Sequence, residues 1–243
     1  MYNDLAYSDS GMDLETMGVA KNYYRWIYEL FKPYLGNKIV EVGAGSGYFS
    51  KLLLESRPES LFLLEPSRPM YEILVEQVKQ LNMSAQILTF NATFREINNQ
   101  IKLIRQPDSI IYINVLEHIS EDEAELRAIH QTLDIGGRVF IFVPALRWLY
   151  GDFDRRVGHC RRYIKPELED KCRRAGFKIL RTQYFDLIGI IPWWLIYCVL
   201  KSTRTGGKAA GIYDKFIVPL EKKLELIAPP VIGKNLILVG EKR

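Results

Sequence analysis

Short apolar segments alternate with longer helical patterns along most of this chain of 243 residues. Five of the apolar segments predict strands, at 38–42, 60–64, 84–90, 109–113 and 138–143. Strands that are apolar throughout and separated by helices are typical of a parallel sheet covered on both faces. The alternation therefore predicts an α/β fold with a mostly parallel sheet.

Two further strands and two additions complete the predicted organisation. Strands at 178–185 and 235–242 bring the sheet to seven, and the last is expected to close it. An aromatic-rich amphipathic helix is predicted at 16–35, and residues from about 187 to 233 form an insertion between the last two strands. A length near 240 fits one large α/β domain or two small ones, and the continuous pattern favours a single domain over residues 1–243.

Composition and charge exclude several classes of protein. Hydrophobic residues at 48% and charged residues at 26% rule out a disordered, collagen-like or coiled-coil chain. A formal net charge of +4 is too small for a dedicated nucleic-acid binder, so no nucleic-acid partner is expected. The first 20 residues carry acids and no apolar run, and the three cysteines match no metal-ligand spacing. We therefore expect a cytoplasmic protein with reduced thiols and no metal site.

The insertion contains an apolar segment and a helical stripe. Residues 187–200 include a proline and are too few to span a bilayer. Trp193 and Trp194, beside aliphatic residues, fit a lid, a dimer contact, ordinary core or a peripheral membrane contact. Further along, apolar residues recur at steps of four and three: Tyr213, Ile217, Leu220, Leu224 and Ile227. This stripe predicts a helix whose apolar side packs against the core.

The most informative motif is the glycine-rich segment after the first strand, Glu41-Val42-Gly43-Ala44-Gly45-Ser46-Gly47. Glycines allow positive φ and let backbone N–H groups approach a ligand closely. The dinucleotide-binding fingerprint would need a glycine where this chain has Tyr48. Glu41 would repel a pyrophosphate and attract a cationic amine. The motif favours a ligand with an ammonium group, and a nicotinamide-dependent oxidoreductase is the alternative enzyme.

This segment resembles the first motif of class I S-adenosylmethionine-dependent methyltransferases. Glu65 ends the second strand 22 residues after Gly43, residues 113–119 resemble the family's fourth-strand signature, and residues 133–138 fit the turn before its fifth strand. The resemblance implies a Rossmann-like three-layer sandwich with a mostly parallel seven-stranded sheet and an antiparallel closing strand. It also implies S-adenosylmethionine as the cofactor.

The resemblance assigns cofactor-binding positions as well. Glu65 would accept hydrogen bonds from the ribose hydroxyls, as an acid does in related nucleotide folds. Asn91 stands where the family often has an acid, and its amide oxygen can accept from the adenine amine. The implied set is Glu41, Gly43, Ala44, Gly45, Gly47, Glu65, Pro66, Asn91, Ala92, Asn114, Val115 and Leu116. His118 either packs at the following helix or lines the cofactor cleft.

A second informative segment, residues 144–163, follows the fifth strand at the sheet edge where ligands bind in open α/β folds. Its string Gly158-His159-Cys160-Arg161-Arg162-Tyr163 resembles a methyltransferase subgroup associated with polysaccharide and lipid-linked glycan assembly. Five basic residues and no acid lie between Arg155 and Lys165. Paired guanidinium groups suit a carboxylate or phosphate on the methyl acceptor.

Histidine is a frequent general base because a free imidazole is largely neutral and accepts protons near pH 7. The catalytic candidates are His159, Tyr163 and Arg161. The substrate-binding candidates are Arg155, Arg156, Arg162, Trp148 and Tyr150. A structural His159, and arginines paired with Asp152 and Asp154, are the alternatives for this loop.

The sequence thus predicts methyl transfer to the oxygen or nitrogen of a small, anionic or lipid-linked acceptor. Peripheral membrane contact through residues 187–200 is part of this prediction. Outside the enzymes, the alternative is a catalytically silent, methyltransferase-like scaffold at a membrane.

Overall fold

The computed structural model describes residues 20–81, 85–202 and 207–243. The strands within these ranges are β1 (Lys38–Val42), β2 (Ser60–Leu64), β3 (Gln86–Phe90), β4 (Ser109–Ile113), β5 (Arg138–Pro144), β6 (Phe177–Phe185) and β7 (Asn235–Lys242). They form one sheet in the order β3-β2-β1-β4-β5-β7-β6.

The direction of the strands confirms the predicted sheet. The pairs β1–β2, β1–β4, β2–β3 and β4–β5 are parallel, whereas β7 is antiparallel to both β5 and β6. Wholly apolar strands such as Leu61–Leu64 are buried on both faces, as a sheet between two helical layers requires. The predicted start of β3 at residue 84 lies outside the described residues.

Helices follow most strands. They are α1 (Lys21–Phe31), α2 (Tyr48–Leu54), α3 (Arg68–Lys79), α4 (Phe94–Ile104), α5 (Asp122–Thr132), α6 (Asp152–Arg156), α7 (Lys165–Arg174), α8 (Ile190–Trp193), α9 (Gly207–Ile212) and α10 (Val218–Ile227). π-Helical turns follow α8 at Trp194–Val199 and precede α10 at Tyr213–Ile217. The helix predicted at 16–35 corresponds to α1, and its predicted first turn at 16–19 lies outside the described residues.

Two hydrophobic clusters lie on opposite faces of the sheet, as the strand alternation requires. Val40 belongs to a cluster that also contains Ile129 of α5. Its neighbour Ile39 belongs to the other cluster, with Trp26 of α1 and Leu53 of α2. The sheet is therefore the middle of three layers, which confirms the predicted sandwich.

The prediction for the second helical segment of the insertion was wrong. Leu220, Leu224 and Ile227 were expected in the core, but they are 54%, 53% and 85% exposed. Glu221 and Glu225 of the same helix are buried instead, because their carboxylates accept hydrogen bonds from the backbone N–H groups of residues 187 and 188.

Within the described ranges, every helix falls short of the length and apolar character that crossing a bilayer requires.

Candidate functional site

The glycine-rich turn after β1 packs against the segment that follows β4. Gly43, Gly45 and Gly47 have φ angles of 71°, 55° and 82°, a region that strongly favours glycine. A Cβ on Gly43 would lie 2.4 Å from Cγ2 of Val115, and one on Gly47 would lie 2.9 Å from Cδ1 of Leu74. The turn therefore leaves no room for a side chain at Gly43 or Gly47. The glycine-rich segment and residues 113–119, two motifs that were predicted separately, meet at one edge of the sheet.

Glu65 is held at the end of β2 by backbone hydrogen bonds. It is 2% exposed, Gly45 N donates to Oε2 at 2.8 Å, and Ser67 N donates to Oε1 at 2.8 Å. These bonds fix the carboxylate, a hydrogen-bond acceptor, beside the glycine-rich turn. The geometry suits recognition of a ligand's hydroxyl groups.

Asn91 and Asn114 add polar atoms to the same edge. Asn91 Nδ2 donates to the carbonyl oxygens of Glu65 and Pro66 at 2.8 and 3.0 Å, so the amide is oriented with its oxygen as the acceptor for a ligand. Asn114 is exposed, with a φ angle of 53°. Ala92 is half-buried beside Asn91, and Val115 and Leu116 are buried beside Asn114. The predicted cofactor residues thus converge on the carboxyl ends of β1 to β4.

Glu41 is a buried acid behind the turn. It is 2% exposed and accepts a hydrogen bond from the Ser50 hydroxyl. Burial raises the pKa of Glu41 to about 8, the Ser50 hydrogen bond opposes this rise, and the charge of Glu65 adds to it. A cationic group bound nearby would favour the ionised carboxylate. These acceptor groups, Glu41, Glu65 and the Asn91 amide oxygen, therefore fit a ligand that carries hydroxyl, amine and positively charged groups.

His159 in the loop after β5 is oriented by Asp154. Nδ1 of His159 lies 2.8 Å from Oδ1 of Asp154, which also accepts a hydrogen bond from Arg162 Nε at 2.8 Å. Although burial opposes ionisation, the hydrogen bond with His159 and the charge of Arg162 lower the pKa of Asp154. An ionised Asp154 favours the tautomer with hydrogen on Nδ1, which makes Nε2 the basic nitrogen.

Two residues after β4 face this imidazole. Glu117 Oε1 is 3.8 Å from His159 Nε2, and among the described residues neither Glu117 oxygen has a hydrogen-bond partner. Burial raises the pKa of Glu117 to about 8. The His118 ring lies 4.7 Å from the His159 ring, and burial followed by the charge of His159 lowers the pKa of His118 to about 3.

Glu117, His118 and His159 also bring potential ligand atoms within 4.8 Å of one another. In the described ranges, this is the group of side chains that could hold a metal ion. Such a group was not expected from the sequence, which predicted no metal site.

Tyr163 and Arg161 belong to a separate network around Asp122, a residue that sequence reasoning missed. The Tyr163 hydroxyl donates to Asp122 Oδ2 at 2.8 Å, and Arg161 and Lys171 each pair with that oxygen at 2.6 Å. Burial and then the Asp122 charge raise the pKa of Tyr163. Tyr163 is fully buried and its hydroxyl is bonded to Asp122, so its catalytic role stays a prediction that this geometry does not favour.

The arginines of the loop are largely paired within the chain. Arg155 bonds to Asp152, and Arg162 is 2% exposed between Asp154 and the ring of Trp193, whose centroid is 4.9 Å away. The contacts of Arg162 are thus within the loop and with Trp193, and its expected contact with an acceptor stays a prediction that this burial does not favour.

Three other substrate-binding candidates share one pocket. Trp148, Tyr150 and Arg155 line it together with Lys201 from the insertion. The remaining candidate, Arg156, is exposed on the same loop. All three cysteines are free thiols, as the sequence predicted.

Comparison with known proteins agrees with this geometry. Residues 19–182 match a family model described as a methyltransferase domain. A search of curated protein sequences finds no significant match.

Solved structures are similar in fold at low sequence identity. One is a chain in the complex of the Haloferax volcanii Trm112 methyltransferase activator with a methyltransferase, with TM-score 0.65, 14% identity, and 99% of this chain and 98% of that chain covered. Another, from Thermotoga maritima, is described as a "possible histamine N-methyltransferase" and has TM-score 0.58, 15% identity and 100% of both chains covered. A third is magnesium protoporphyrin IX methyltransferase from Synechocystis with bound S-adenosylmethionine, with TM-score 0.54, 13% identity, and 95% and 81% covered.

The family model spans more than half of the chain, and the residues at the carboxyl ends of β1 to β4 fit the cofactor that such enzymes use. The chain therefore belongs to the methyltransferase-domain family and is an S-adenosylmethionine-dependent methyltransferase with a Rossmann-like fold.

Proposed function

We propose that this enzyme methylates an oxygen or nitrogen of a small, anionic or lipid-linked acceptor bound beside the 144–163 loop. The observation that carries the proposal is the fixed carboxylate of Glu65 next to the glycine-rich turn, with His159 and its Asp154 partner across the same edge of the sheet. The glycan-assembly subgroup and peripheral contact through residues 187–200, both expected from the sequence, are part of this proposal.

S-adenosylmethionine supplies a methyl group on a sulfonium, which is already a good leaving group. The protein's main task is then to align the acceptor with the methyl group. His159 Nε2 would remove the proton of a hydroxyl or ammonium acceptor, while Asp154 keeps the imidazole in the required tautomer. The pocket lined by Trp148, Tyr150, Arg155 and Lys201 also contains Asp152, which pairs with Arg155. Lys201 adds a second basic group beside this pair, and this excess of positive charge supports an anionic acceptor.

Replacing Glu65 with alanine should weaken S-adenosylhomocysteine binding by about 5- to 150-fold, which corresponds to about 1–3 kcal/mol for unsatisfied buried donors. Calorimetric titration of wild type and variant with S-adenosylmethionine, S-adenosylhomocysteine and NAD measures this. Glu72 on the exposed side of α3 offers a matched control, since it pairs only with Arg68 at the surface in the described structure. Tight binding of NAD without binding of S-adenosylhomocysteine would contradict the cofactor site proposed here and favour the oxidoreductase.

The buried Glu41 should make cofactor binding depend on pH. Its pKa of about 8 means that most molecules carry it protonated at pH 7, and a cationic ligand group favours the ionised form. Affinity for S-adenosylhomocysteine should therefore rise about fivefold from pH 7 to pH 8, because binding must release this proton. A Glu41→Gln variant should lose the pH dependence. An equal slope in both proteins would show that Glu41 does not face the ligand's charge.

A further inference from the structure

The two helical segments of the insertion expose an unusual number of large apolar side chains. In the first, which starts at α8, the side chains of Ile191, Trp194, Leu195, Val199 and Leu200 are between 45% and 70% exposed. In the second, which ends with α10, those of Ile212, Phe216, Leu220, Leu224, Leu226 and Ile227 are between 53% and 85% exposed. Hydrogen bonds from residues 187 and 188 to Glu225 and Glu221 join the two segments, and their eleven exposed apolar residues are together called the apolar face below. Exposed apolar groups at this density mark an interaction surface.

The second segment turns its acids inward. Asp214, Glu221 and Glu225 recur at steps of seven and four, and each is 6% exposed or less. An ordinary surface helix buries its apolar side and exposes its charges, so this segment has the reverse orientation.

Hydrogen bonds fix that orientation. Asp214 accepts from the backbone N–H groups of Asn22 and Tyr23 at 3.0 and 2.9 Å, where α1 begins. Glu221 and Glu225 accept from the backbone N–H groups of Ile188 and Leu187 at 2.6 and 3.1 Å. Rolling the helix to bury its apolar side would leave these backbone N–H groups without their acceptors. The apolar face is therefore held outward by the fold.

The exposed charges that belong to the insertion itself have a single sign. Among described residues 187–202 and 207–232, the exposed charged side chains are those of Lys201, Lys208, Lys215 and Lys223. An amphipathic surface that combines lysines with tryptophan, phenylalanine and leucine is typical of helices lying in the interface of an anionic bilayer. Two copies of this chain packed face to face would bring the lysines together, and like charges would oppose that contact.

We propose that the apolar face docks the enzyme on the surface of an anionic lipid bilayer. The contact would also bring the 144–163 loop close to the lipid, because Trp193 next to the face packs edge-to-face against Phe153 of α6, with ring centroids 5.3 Å apart. This inference extends the peripheral contact of the proposed function to a second helical segment and rests on that proposal only for the acceptor's source. Docking itself requires neither cofactor nor acceptor.

The test is co-sedimentation of the full chain with vesicles of phosphatidylcholine alone and of phosphatidylcholine with 30% phosphatidylglycerol, without cofactor. We expect binding to the anionic vesicles and about tenfold or more weaker binding to the neutral ones. Phe216→Ser with Leu224→Ser should weaken the anionic binding by about tenfold or more, because both side chains insert into the interface. The matched control is Leu103→Ser with Ile135→Ser, whose side chains are 87% and 78% exposed outside the insertion; binding should be unchanged.

Charge reversal provides an independent arm. Lys215→Glu with Lys223→Glu should remove the preference for anionic vesicles, while Lys178→Glu on β6 should leave it intact. Quenching of wild-type tryptophan fluorescence by brominated lipid adds a measurement that needs no variant. The proposal would be overturned if the protein bound neither kind of vesicle, or if the control pair lost as much vesicle binding as Phe216→Ser with Leu224→Ser. It would also be overturned if light scattering showed a dimer that Phe216→Ser with Leu224→Ser dissociates. Titration of the same proteins with S-adenosylhomocysteine, in parallel, separates a failure of docking from a failure of the proposed cofactor site.

Discussion

Replacing His159 with asparagine should lower the rate of methyl transfer by about 10²- to 10⁴-fold, the range that a positioned general base contributes. Asparagine can still accept or donate a hydrogen bond toward Asp154, but it cannot take the acceptor's proton. Affinity for S-adenosylhomocysteine should stay within about twofold, because the proposed cofactor residues lie at the ends of β1 to β4 and do not include His159. The measurement is transfer of labelled methyl groups from S-adenosylmethionine into lipid and small-molecule fractions of a cell lysate.

Two controls separate catalysis from structure. His130 on α5 packs its ring against Phe177, and a His130→Asn variant should keep full turnover. Asp154→Asn should also reduce turnover, as a positioning residue would, and it should shift the pH profile because it changes the preferred imidazole tautomer. A fall in cofactor affinity with unchanged turnover of the bound enzyme would show that His159 only orders the loop.

A chelator tests whether Glu117, His118 and His159 hold a metal ion or whether His159 acts as a base without one. If His159 acts as a base, turnover should be insensitive to removal of divalent ions. Loss of turnover on chelation that a divalent ion restores would instead assign Glu117, His118 and His159 to a metal centre, since their ligand atoms lie within 4.8 Å of one another.

Much of the fold could be predicted because local sequence patterns carry its main constraints. Strands such as Ser60–Leu64 are buried on both faces, so a short run of apolar residues in the sequence is enough to predict that they exist and about where they begin and end. The glycine-rich turn could be placed because its left-handed φ angles strongly favour glycine. That the predicted cofactor residues would lie together could be predicted for a different reason: each motif follows a strand, and parallel strands end at one edge of the sheet.

The parts that could not be predicted depend on contacts between distant residues. Periodicity identified one apolar stripe on the helix that ends at residue 227 and predicted that it packs against the core. The acids of this helix are buried instead, because residues 22, 23, 187 and 188 present backbone donors to them. Similarly, the basic cluster of the acceptor loop looked unpaired because Asp122, which pairs with Arg161, lies 39 residues earlier in the sequence. Charge counted along a segment says little about charge available to a ligand.

Replacing Asp186 with alanine should lower the free energy of unfolding by about 3–5 kcal/mol, the usual effect of removing one partner of a buried ion pair. Asp186 is fully buried, pairs with Lys234 Nζ at 2.6 Å, and accepts hydrogen bonds from the hydroxyls of Tyr213 and Tyr23 at 2.6 and 2.9 Å. Its φ angle of 64° also disfavours alanine, whereas asparagine tolerates it. Urea unfolding measures the loss.

Asparagine at position 186 separates charge from shape. Asp186→Asn keeps the backbone conformation and one acceptor but leaves Lys234 without its counter-charge. We therefore expect it to lower the free energy of unfolding clearly, but by less than alanine does. The control is Asp170→Asn on α7, whose side chain is 63% exposed and pairs with Arg174, and its effect should be within about 0.5 kcal/mol. Equal effects at positions 170 and 186 would show that the buried cluster does not stabilise the fold.

The loss caused by Asp186→Asn should itself depend on pH. Although burial opposes ionisation, Lys234 and the tyrosine hydroxyls lower the pKa of Asp186, so its stabilisation is present above the ordinary pKa and lost as the pH falls through the lower folded value. Burial, followed by the Asp186 charge, raises the pKa of Glu221 to about 7, so the contribution of Glu221 is lost as the pH rises through that value. Removing the Asp186 charge relieves that repulsion. The destabilisation by Asp186→Asn should therefore be largest near pH 5 and smaller at pH 3 and pH 8. Equal losses at pH 5 and pH 8 would show that the two carboxyl groups do not interact.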